Sequence, residues 1–331
     1  MEITFFYWSQ KCGKSINRSF ANLVNYLRHD TSLTIKEYYV PHEGSNPINL
    51  LKNIIFVYKH RTSKGINHIT GDIHYCILGL IGCKSVLTIH DDYSYRQAKK
   101  GFIGKIYKYI FWIYLPIKFA NISLCITQST KDNIYKLYSS KKLKVFTNHT
   151  WSKEYKYCPK DFNYIQPVIL HISTGENKNL ETTIQALNGI NAKLIVVEKM
   201  TDAQIKLAQS LKIDFYNTGR ISDEEILNLY KQADIISFPS SYEGFGMPIV
   251  EGQLIGRCVI TTNLPPMNWV AGDGSFLINN PRNPLELKQV ILKIIHNKKE
   301  RENCISKGLI NAQRFSIEKT ANELLNIYNN I

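Results

Sequence analysis

Short apolar runs alternate with helical patterns along the whole chain, and this alternation is typical of parallel βαβ units. In the first half we predict five strands from runs rich in β-branched and aromatic residues: 3–8, 54–58, 85–90, 122–128 and 143–148. Helical periodicity is clearest over 19–29 and in a basic, aromatic segment from about 102 to 116. The first half therefore predicts one doubly wound parallel sheet.

The second half restarts the same pattern after a polar, Pro-containing stretch at 152–167. Its predicted strands are 167–173, 192–198, 213–219, 234–240 and 257–262, and its predicted helices are 180–188, 202–211, 222–233 and one that begins at Pro248. Two such series in 331 residues predict two α/β domains, 1–160 and 161–331, with the last helix in the second domain or packed back on the first. Parallel sheets bind ligands outside the carboxyl ends of their strands, so we expect a site in the loops after the strands.

Cysteine usage and the apolar segments indicate a cytoplasmic protein. Seven cysteines are scattered without a CxxC pair, which argues against a disulfide framework and a zinc site. The N-terminal residues lack the basic-then-apolar order of a signal peptide. The longest uncharged stretch within 101–120, Tyr109 to Ile117, is nine residues, whereas a spanning helix needs about 18.

The formal net charge of +14 is concentrated in one half of the chain. Residues 1–160 contain 24 Lys and Arg against 9 Asp and Glu, whereas residues 161–331 contain 17 against 18. A basic half attracts phosphates, nucleic acid or an anionic membrane surface, and the alternative is a lysine-rich surface that only aids solubility.

The segment 238–256, FPSSYEGFGMPIVEGQLIG, carries the clearest candidate chemistry. Gly244 and Gly246 allow close approach of a ligand to the backbone, and Pro248 is suited to the first turn of a helix. The backbone N–H groups of this loop and of the helix start are suited to binding an anion. We predict that Glu251 lies in the first helical turn and that Glu243 and Glu251 face one cleft. The alternative is that the two carboxylates only cap the loop and the helix dipole.

YEGFGMPIVEG resembles the Glu-x7-Glu signature of the group 1 retaining glycosyltransferases, and the similarity covers the whole second half. The resemblance implies the GT-B fold, two Rossmann-like doubly wound domains facing a cleft. It also implies that Glu243 lies against the donor sugar and that Glu251 holds the ribose of a nucleotide-sugar donor. The donor-binding loop between them would comprise Gly244, Phe245, Gly246 and Met247.

Two further positions match the family in the second half. Lys178, in the loop STGENKN at 173–179, stands before a helix and corresponds to the family's diphosphate-binding lysine. Many relatives carry an arginine where this chain has Thr174, so we expect the leaving group to be stabilised by Lys178 and backbone dipoles, with Arg220 as a weaker candidate.

In the first half, His90 ends a predicted strand and matches a family histidine that reaches the donor sugar, although it could equally bond only to its own backbone. The loop SQKCGKS at 9–15 resembles the family's glycine loop near the diphosphate, with Gly13 as its one glycine. CGKS is not a Walker motif, because position 8, where that motif needs glycine, is Trp8.

These observations predict transfer of a sugar to a glycan acceptor, and the acceptor that we expect is a lipid-linked oligosaccharide of bacterial surface polysaccharide (O-antigen) synthesis. No Asp-x-Asp occurs, so we expect neither a metal nor another cofactor. The alternatives are a GT-B nucleotide-sugar isomerase of the 2-epimerase type and a nucleic-acid-binding protein, for which no motif is visible.

The acceptor and membrane predictions depend on the basic first half. We predict peripheral binding to the inner, anionic face of the membrane through a lysine–aromatic helix at 99–118. The alternative is a helix that packs its aromatic residues onto the sheet. The residues concerned are Lys99, Lys100, Lys105 and Lys108 with Tyr107, Tyr109, Phe111, Trp112 and Tyr114.

Overall fold

The computed structural model describes residues 1–10, 14–96, 101–147 and 154–331, with no side-chain placement for 14 and 15. The chain forms two compact units: unit 1, Met1–Trp151 with Phe315–Ile331, and unit 2, Ser152–Arg314. The division therefore falls before the predicted boundary at 160, and the chain end belongs to unit 1. Within the described ranges no helix is both long and apolar enough to cross a membrane.

Unit 1 is built on a six-stranded, entirely parallel sheet of order β2-β1-β3-β4-β5-β6. Its strands are β1 (Glu2–Tyr7), β2 (Thr34–Tyr39), β3 (Ile66–Ile69), β4 (Ser85–Ile89), β5 (Ile122–Cys125) and β6 (Leu143–Val145). Its helices are α1 (Lys14–Leu27), α2 (Pro47–His60), α3 (Tyr93–Arg96), α4 (Gly101–Lys108), α5 (Leu115–Phe119), α6 (Gln128–Leu137) and the C-terminal α14 (Ile317–Asn329). A 3-10 helix (His74–Leu80) precedes β4, and a π-helical segment (Tyr109–Tyr114) joins α4 to α5.

The predicted strand at 54–58 is wrong, because the segment lies inside α2. The helix has strong start signals: the side chain of Asn46 accepts a hydrogen bond from the Asn49 N–H, and Pro47 occupies the first turn. Strands β2 and β3 are the parallel neighbours of β1 that the sequence pattern did not predict.

Helices cover both faces of the unit 1 sheet. On one face, α1 and α14 pack on Ile3, Phe5 and Val86. Within this core, His68 of β3 is hydrogen-bonded through Nδ1 to the Tyr328 hydroxyl of α14. Its Nε2 lies 2.7 Å from the Thr88 hydroxyl of β4. The opposite face is covered by α2, the 3-10 helix, the π-helical segment and α5.

The aromatic segment at 107–114 packs inward, which favours the alternative that this helix packs its aromatic residues onto the sheet. Trp112 is buried, and Tyr107, Tyr109 and Phe111 are partly buried against the same core. Tyr114 is partly buried and contacts the Tyr109 and Tyr138 rings. The Lys108 ammonium lies 3.4 Å from the centre of the Trp112 ring. Lys99 and Lys100 lie outside the described residues.

Unit 2 has a second six-stranded parallel sheet, of order β12-β11-β10-β7-β8-β9. Its strands are β7 (Val168–Ile172), β8 (Lys193–Val197), β9 (Asp214–Asn217), β10 (Ile235–Phe238), β11 (Cys258–Thr262) and β12 (Phe276–Ile278). Its helices are α7 (Leu180–Ala186), α8 (Asp202–Ser210), α9 (Asp223–Gln232), α10 (Met247–Ile255), α11 (Met267–Ala271), α12 (Pro284–His296) and α13 (Lys298–Ala312). The first strand of this unit, β7, pairs with both β8 and β10, so the strand order reverses between β7 and β10.

Helix α10 approaches the sheet closely at Gly252. A Cβ atom at this position would lie 2.7 Å from Val259 Cγ2 and 2.9 Å from Ile236 Cγ1, which is too close for real contacts. Gly252 is therefore required by the packing of α10 on β10 and β11.

Candidate functional site

The topological switch point of unit 2 lies between β7 and β10, and the loops that follow these two strands meet at the carboxyl edge of the sheet. The loop after β7 contains a 3-10 turn, Glu176–Lys178, and ends at Asn179 in the left-handed conformation, immediately before α7. The loop after β10 runs from Pro239 to Gly246. Open α/β sheets bind ligands at this position.

The structure joins Lys178 and Glu243 directly across the switch point in an ion pair of the Lys178 ammonium and Glu243 Oε1. Only 18% of the Lys178 side chain and 14% of the Glu243 side chain are exposed, so water screens the pair less than it would on an open surface. Lys178 Nζ also lies 4.9 Å from the centre of the Phe238 ring. The site thus presents a cation and a carboxylate side by side.

Ser240 and Asn177, which the sequence did not predict, fix the position of Glu243. The Ser240 hydroxyl donates to Glu243 Oε1 at 2.6 Å, and the Asn177 amide lies 3.4 Å from the same oxygen. Asn177 Nδ2 also donates to the Tyr242 carbonyl at 2.8 Å. The Oε1 atom of Glu243 therefore contacts the Lys178 ammonium as well as the neutral donors of Ser240 and Asn177.

Further bonds tie the two loops into one assembly. The Ser241 N–H donates to the Asn177 carbonyl at 2.8 Å, and Asn179 Nδ2 donates to the Pro239 carbonyl at 2.7 Å. Asn177 and Asn179 flank Lys178, so the backbone on both sides of the lysine is attached to the loop that carries Glu243. The distance between the two charged groups is set by this network.

The glycine loop leads into α10 as the sequence pattern predicts, with the helix beginning at Met247. Gly246 has φ of +100°, a conformation that favours glycine, and no side chain caps the first turn. The side chain of Phe245 is buried, Met247 is partly exposed, and Gly244 precedes them at intermediate exposure. The N-terminal dipole of α10 thus adds positive potential beside Glu243.

Glu251 does not lie where the sequence predicts. It is the fifth residue of α10, beyond the first turn, and only 4% of it is exposed. Its Oε2 accepts a hydrogen bond of 2.7 Å from the hydroxyl of Tyr230, which is fully buried on α9. The two glutamates therefore have different surroundings, and the structure shows Glu251 as a buried, hydrogen-bonded carboxylate.

Arg220 and Thr174 are the remaining unit 2 positions. Arg220 is exposed in the loop after β9, the edge strand, two strands away from β7. Thr174, where relatives have arginine, donates from its hydroxyl to the Lys199 carbonyl at 3.0 Å and thereby ties the loops after β7 and β8 together. Ser173 and Glu198, which both have φ of +74°, are joined in the same place by a 2.6 Å hydrogen bond.

His90 follows β4 at the carboxyl edge of the unit 1 sheet and is partly buried. Its Nε2 lies 2.8 Å from the Thr70 carbonyl. Since a carbonyl only accepts, this nitrogen carries the proton and Nδ1 is the acceptor. Burial lowers the pKa of His90 to about 4, although the Thr70 bond acts in the opposite direction, so the ring is neutral at pH 7. Gly13 lies outside the described residues.

The chain is similar to known proteins in the sequence of its second half and in its fold. Residues 161–309 match the family model described as glycosyl transferases group 1. The O-antigen chain mannosyltransferase B of Escherichia coli is 33% identical over 110 residues, which are 33% of this chain and 29% of that protein. The O-antigen biosynthesis glycosyltransferase WclY of Escherichia coli is 27% identical over 271 residues, 76% of this chain and 73% of that protein.

The solved structure of Anabaena HepE in complex with UDP and glucose is similar over 100% of both chains, with a TM-score of 0.74 and 16% identity. The two doubly wound units thus have the GT-B fold. The similarity to the group 1 glycosyltransferases thus covers residues 161–309. The chain spans less than a third of the length of the mannosyltransferase B named above.

Proposed function

We propose that the protein is a retaining glycosyltransferase that moves a sugar from a nucleotide-diphosphate donor to a glycan acceptor. The ion pair of Lys178 and Glu243 at the switch point of unit 2 is the observation that carries this proposal. The pair brings a cation suited to a diphosphate next to an anion suited to sugar hydroxyls and to developing positive charge.

Donor binding would exchange the partners of this pair. The donor diphosphate carries more negative charge than one carboxylate, so it competes for the Lys178 ammonium beside the N-terminal dipole of α10. Glu243 would then be released from the lysine and remain held by Ser240 and Asn177. Its free lone pairs could accept hydrogen bonds from the donor sugar.

In the proposed reaction the bond between the sugar C1 and the leaving phosphate oxygen breaks, and a bond from C1 to the acceptor oxygen forms on the same face. The acceptor hydroxyl gives its proton to the departing phosphate oxygen. Lys178 and the N–H groups at the start of α10 stabilise the charge that develops on the diphosphate. The Glu243 carboxylate stabilises the oxocarbenium-like sugar.

We further propose a lipid-linked glycan of surface polysaccharide as the acceptor, used at the inner face of the cell membrane. The relatives named as O-antigen enzymes support the polysaccharide class. The basic residues of 1–160 support an acceptor that carries phosphate at an anionic surface.

The proposal is tested first by a thermal-shift screen against nucleotide sugars, beginning with UDP-glucose because HepE was solved with UDP and glucose. A donor that stabilises the protein is then incubated with and without a glycan acceptor, and the anomeric configuration of the product is read by NMR. We expect retention of configuration. An inverted product would contradict the retaining mechanism, and interconversion of the free nucleotide sugar without transfer would favour a 2-epimerase.

Activity is expected to survive EDTA and to need no added Mn²⁺ or Mg²⁺. The physical reason is that Lys178 and the α10 N-terminus provide positive charge where a metal would otherwise bridge the diphosphate. The measurement is initial rate of transfer after dialysis against EDTA, with and without each metal. Loss of activity that Mn²⁺ restores would overturn this assignment of the site.

A further inference from the structure

Helix α2 of unit 1 carries an apolar stripe on its solvent side. Ile48, Leu51, Ile55 and Tyr58 are between 43% and 66% exposed and follow one another at spacings of three and four residues. This spacing places them on one side of the helix, whereas Leu50, Asn53 and Val57 are buried on the other. The helix is thus apolar on its packed face and on its exposed face.

Helix α4 carries a second exposed apolar cluster. Phe102 and Ile103 are each 82% exposed, and Ile106 is also exposed. No residue of α4 is buried. The strongly exposed aromatic and aliphatic side chains are therefore not explained by the packing of unit 1.

Both clusters lie on the same side of unit 1. Helix α2 and the π-helical segment that continues α4 pack on one core cluster, which covers a single face of the sheet. The Tyr107 hydroxyl of α4 donates to the Ser45 carbonyl just before α2 at 2.7 Å, so α4 reaches the N-terminal end of α2. We call the seven exposed side chains of these helices the α2–α4 surface: Ile48, Leu51, Ile55, Tyr58, Phe102, Ile103 and Ile106.

The charged residues on these two helices are all basic. Lys52 and Lys59 are exposed on α2, and Lys105 is exposed on α4. Segments 41–61 and 101–119 contain six Lys and Arg and one acidic residue, Glu43, which precedes α2. Neither helix contains a carboxylate. Apolar side chains flanked by lysines are the composition of helices that lie in a membrane interface.

We propose that the α2–α4 surface binds an anionic lipid bilayer, with the apolar side chains entering the headgroup boundary and the lysines contacting lipid phosphates. This inference rests on the proposed transfer to a lipid-linked acceptor and names the surface that brings unit 1 to it. It replaces the inward-packed aromatic residues of 107–114 as the membrane contact. A second copy of the chain fits less well, because two such surfaces would bring lysines of the same sign together.

The test uses the full chain in a vesicle sedimentation assay. We expect binding to vesicles of equal parts phosphatidylglycerol and phosphatidylcholine, which weakens as salt is added, and little binding to phosphatidylcholine alone. The variant Lys52→Glu/Lys59→Glu/Lys105→Glu is expected to bind about 100-fold more weakly. The variant Leu51→Ser/Ile55→Ser/Phe102→Ser/Ile103→Ser should lower binding at high salt, where the apolar contribution remains.

A matched control changes similarly exposed residues of unit 2, Leu285→Ser/Ile310→Ser and Lys298→Glu, and should bind as the unmodified chain does. Wild-type affinity in the α2–α4 variants, or equal loss in the control, would overturn the proposal. A dimer in sedimentation velocity that Leu51→Ser abolishes, without lipid binding, would assign the surface to self-association instead. Hydrolysis of the donor, without acceptor or lipid, is measured on the wild type and on the same variants. If the donor is hydrolysed but neither the wild type nor any variant binds vesicles, the membrane inference fails and the proposed glycosyltransferase function does not.

Discussion

Replacing Glu243 by Gln or Lys178 by Ala is expected to lower the turnover number by about 10²-fold or more, while the melting temperature changes by only about a few degrees. Both side chains lie on loops at the carboxyl edge of the unit 2 sheet, outside its packed core. Both residues are proposed to contact the bound donor, and their charges should stabilise the transition state further, Lys178 the negative charge that grows on the diphosphate and Glu243 the positive charge that grows on the sugar. Single-turnover rates at saturating donor measure the effect on the chemical step.

The control for this prediction separates catalysis from mutual stabilisation. The double exchange Lys178→Glu/Glu243→Lys restores an ion pair at the switch point but reverses the charges that face the donor. We expect it to regain stability relative to the single variants and to remain inactive. Glu224→Gln, an exposed carboxylate on α9 of the same unit, should change neither quantity. Recovery of activity in the exchanged pair would mean that the two residues have only a structural role.

Five of the six strands of the second sheet could be predicted, most of them because they are continuous apolar runs bounded by turns, whereas the short strand β12 (Phe276–Ile278) was not predicted. Val168–Ile172, Ile235–Phe238 and Cys258–Thr262 each lie inside a predicted run. Buried parallel strands need apolar residues on both faces, and turn residues on either side of these runs separate them from the neighbouring helices. The loops that carry Lys178 and Glu243 could be placed for the same reason.

Helix α2 could not be identified from its apolar run, and the physical reason is its exposed stripe. With Ile48, Leu51 and Ile55 outward and Leu50 and Val57 inward, the helix has apolar residues on both sides. The 3.6-residue period therefore disappears, and 54–58 looks like a strand. The prediction missed strand β3 for a different reason: Asn67 and His68 are polar but fully buried, and the partners of His68, Thr88 and Tyr328, are distant in the sequence.

The candidate site was predictable in its charged residues but not in the groups that position them. Spacing along the chain suggested that Glu243 and Glu251 share a face, yet the hydroxyl of Tyr230 on another helix holds Glu251 inside the unit. Likewise, Asn177 and Ser240 are ordinary loop residues until the fold brings two separate loops together. Asn177 lies 66 positions from Glu243 and Tyr230 lies 21 positions from Glu251, and contacts at such separations have no local signature.

Acidification from pH 7 to pH 5 is expected to destabilise unit 1 markedly. Burial lowers the pKa of His68 to about 3, with repulsion from His90 as a second cause, and burial also lowers the pKa of His90 to about 4. The unfolded chain titrates near 6.5, so below that pH it binds protons that the folded unit does not. The free energy of unfolding therefore falls as pH drops through 6.5, by about 2 kcal/mol at pH 5 for each such histidine.

Carboxylates whose pKa is lowered, such as Glu2 and Asp30, remain ionised at pH 5, whereas burial raises the pKa of Glu323 on α14, so its protonation stabilises the folded unit as the pH falls and opposes the effect of the histidines. Denaturant unfolding followed by hydrogen exchange measures the free energy of unfolding of unit 1 at each pH. In His68→Gln, the free energy of unfolding should fall less between pH 7 and pH 5, by the contribution of one histidine, about 2 kcal/mol. Tyr328→Phe removes a hydrogen-bond partner of His68 without removing a titrating ring, so it should lower stability at every pH and leave the slope in place. An unchanged slope in His68→Gln would mean that His68 does not carry the acid sensitivity of the unit.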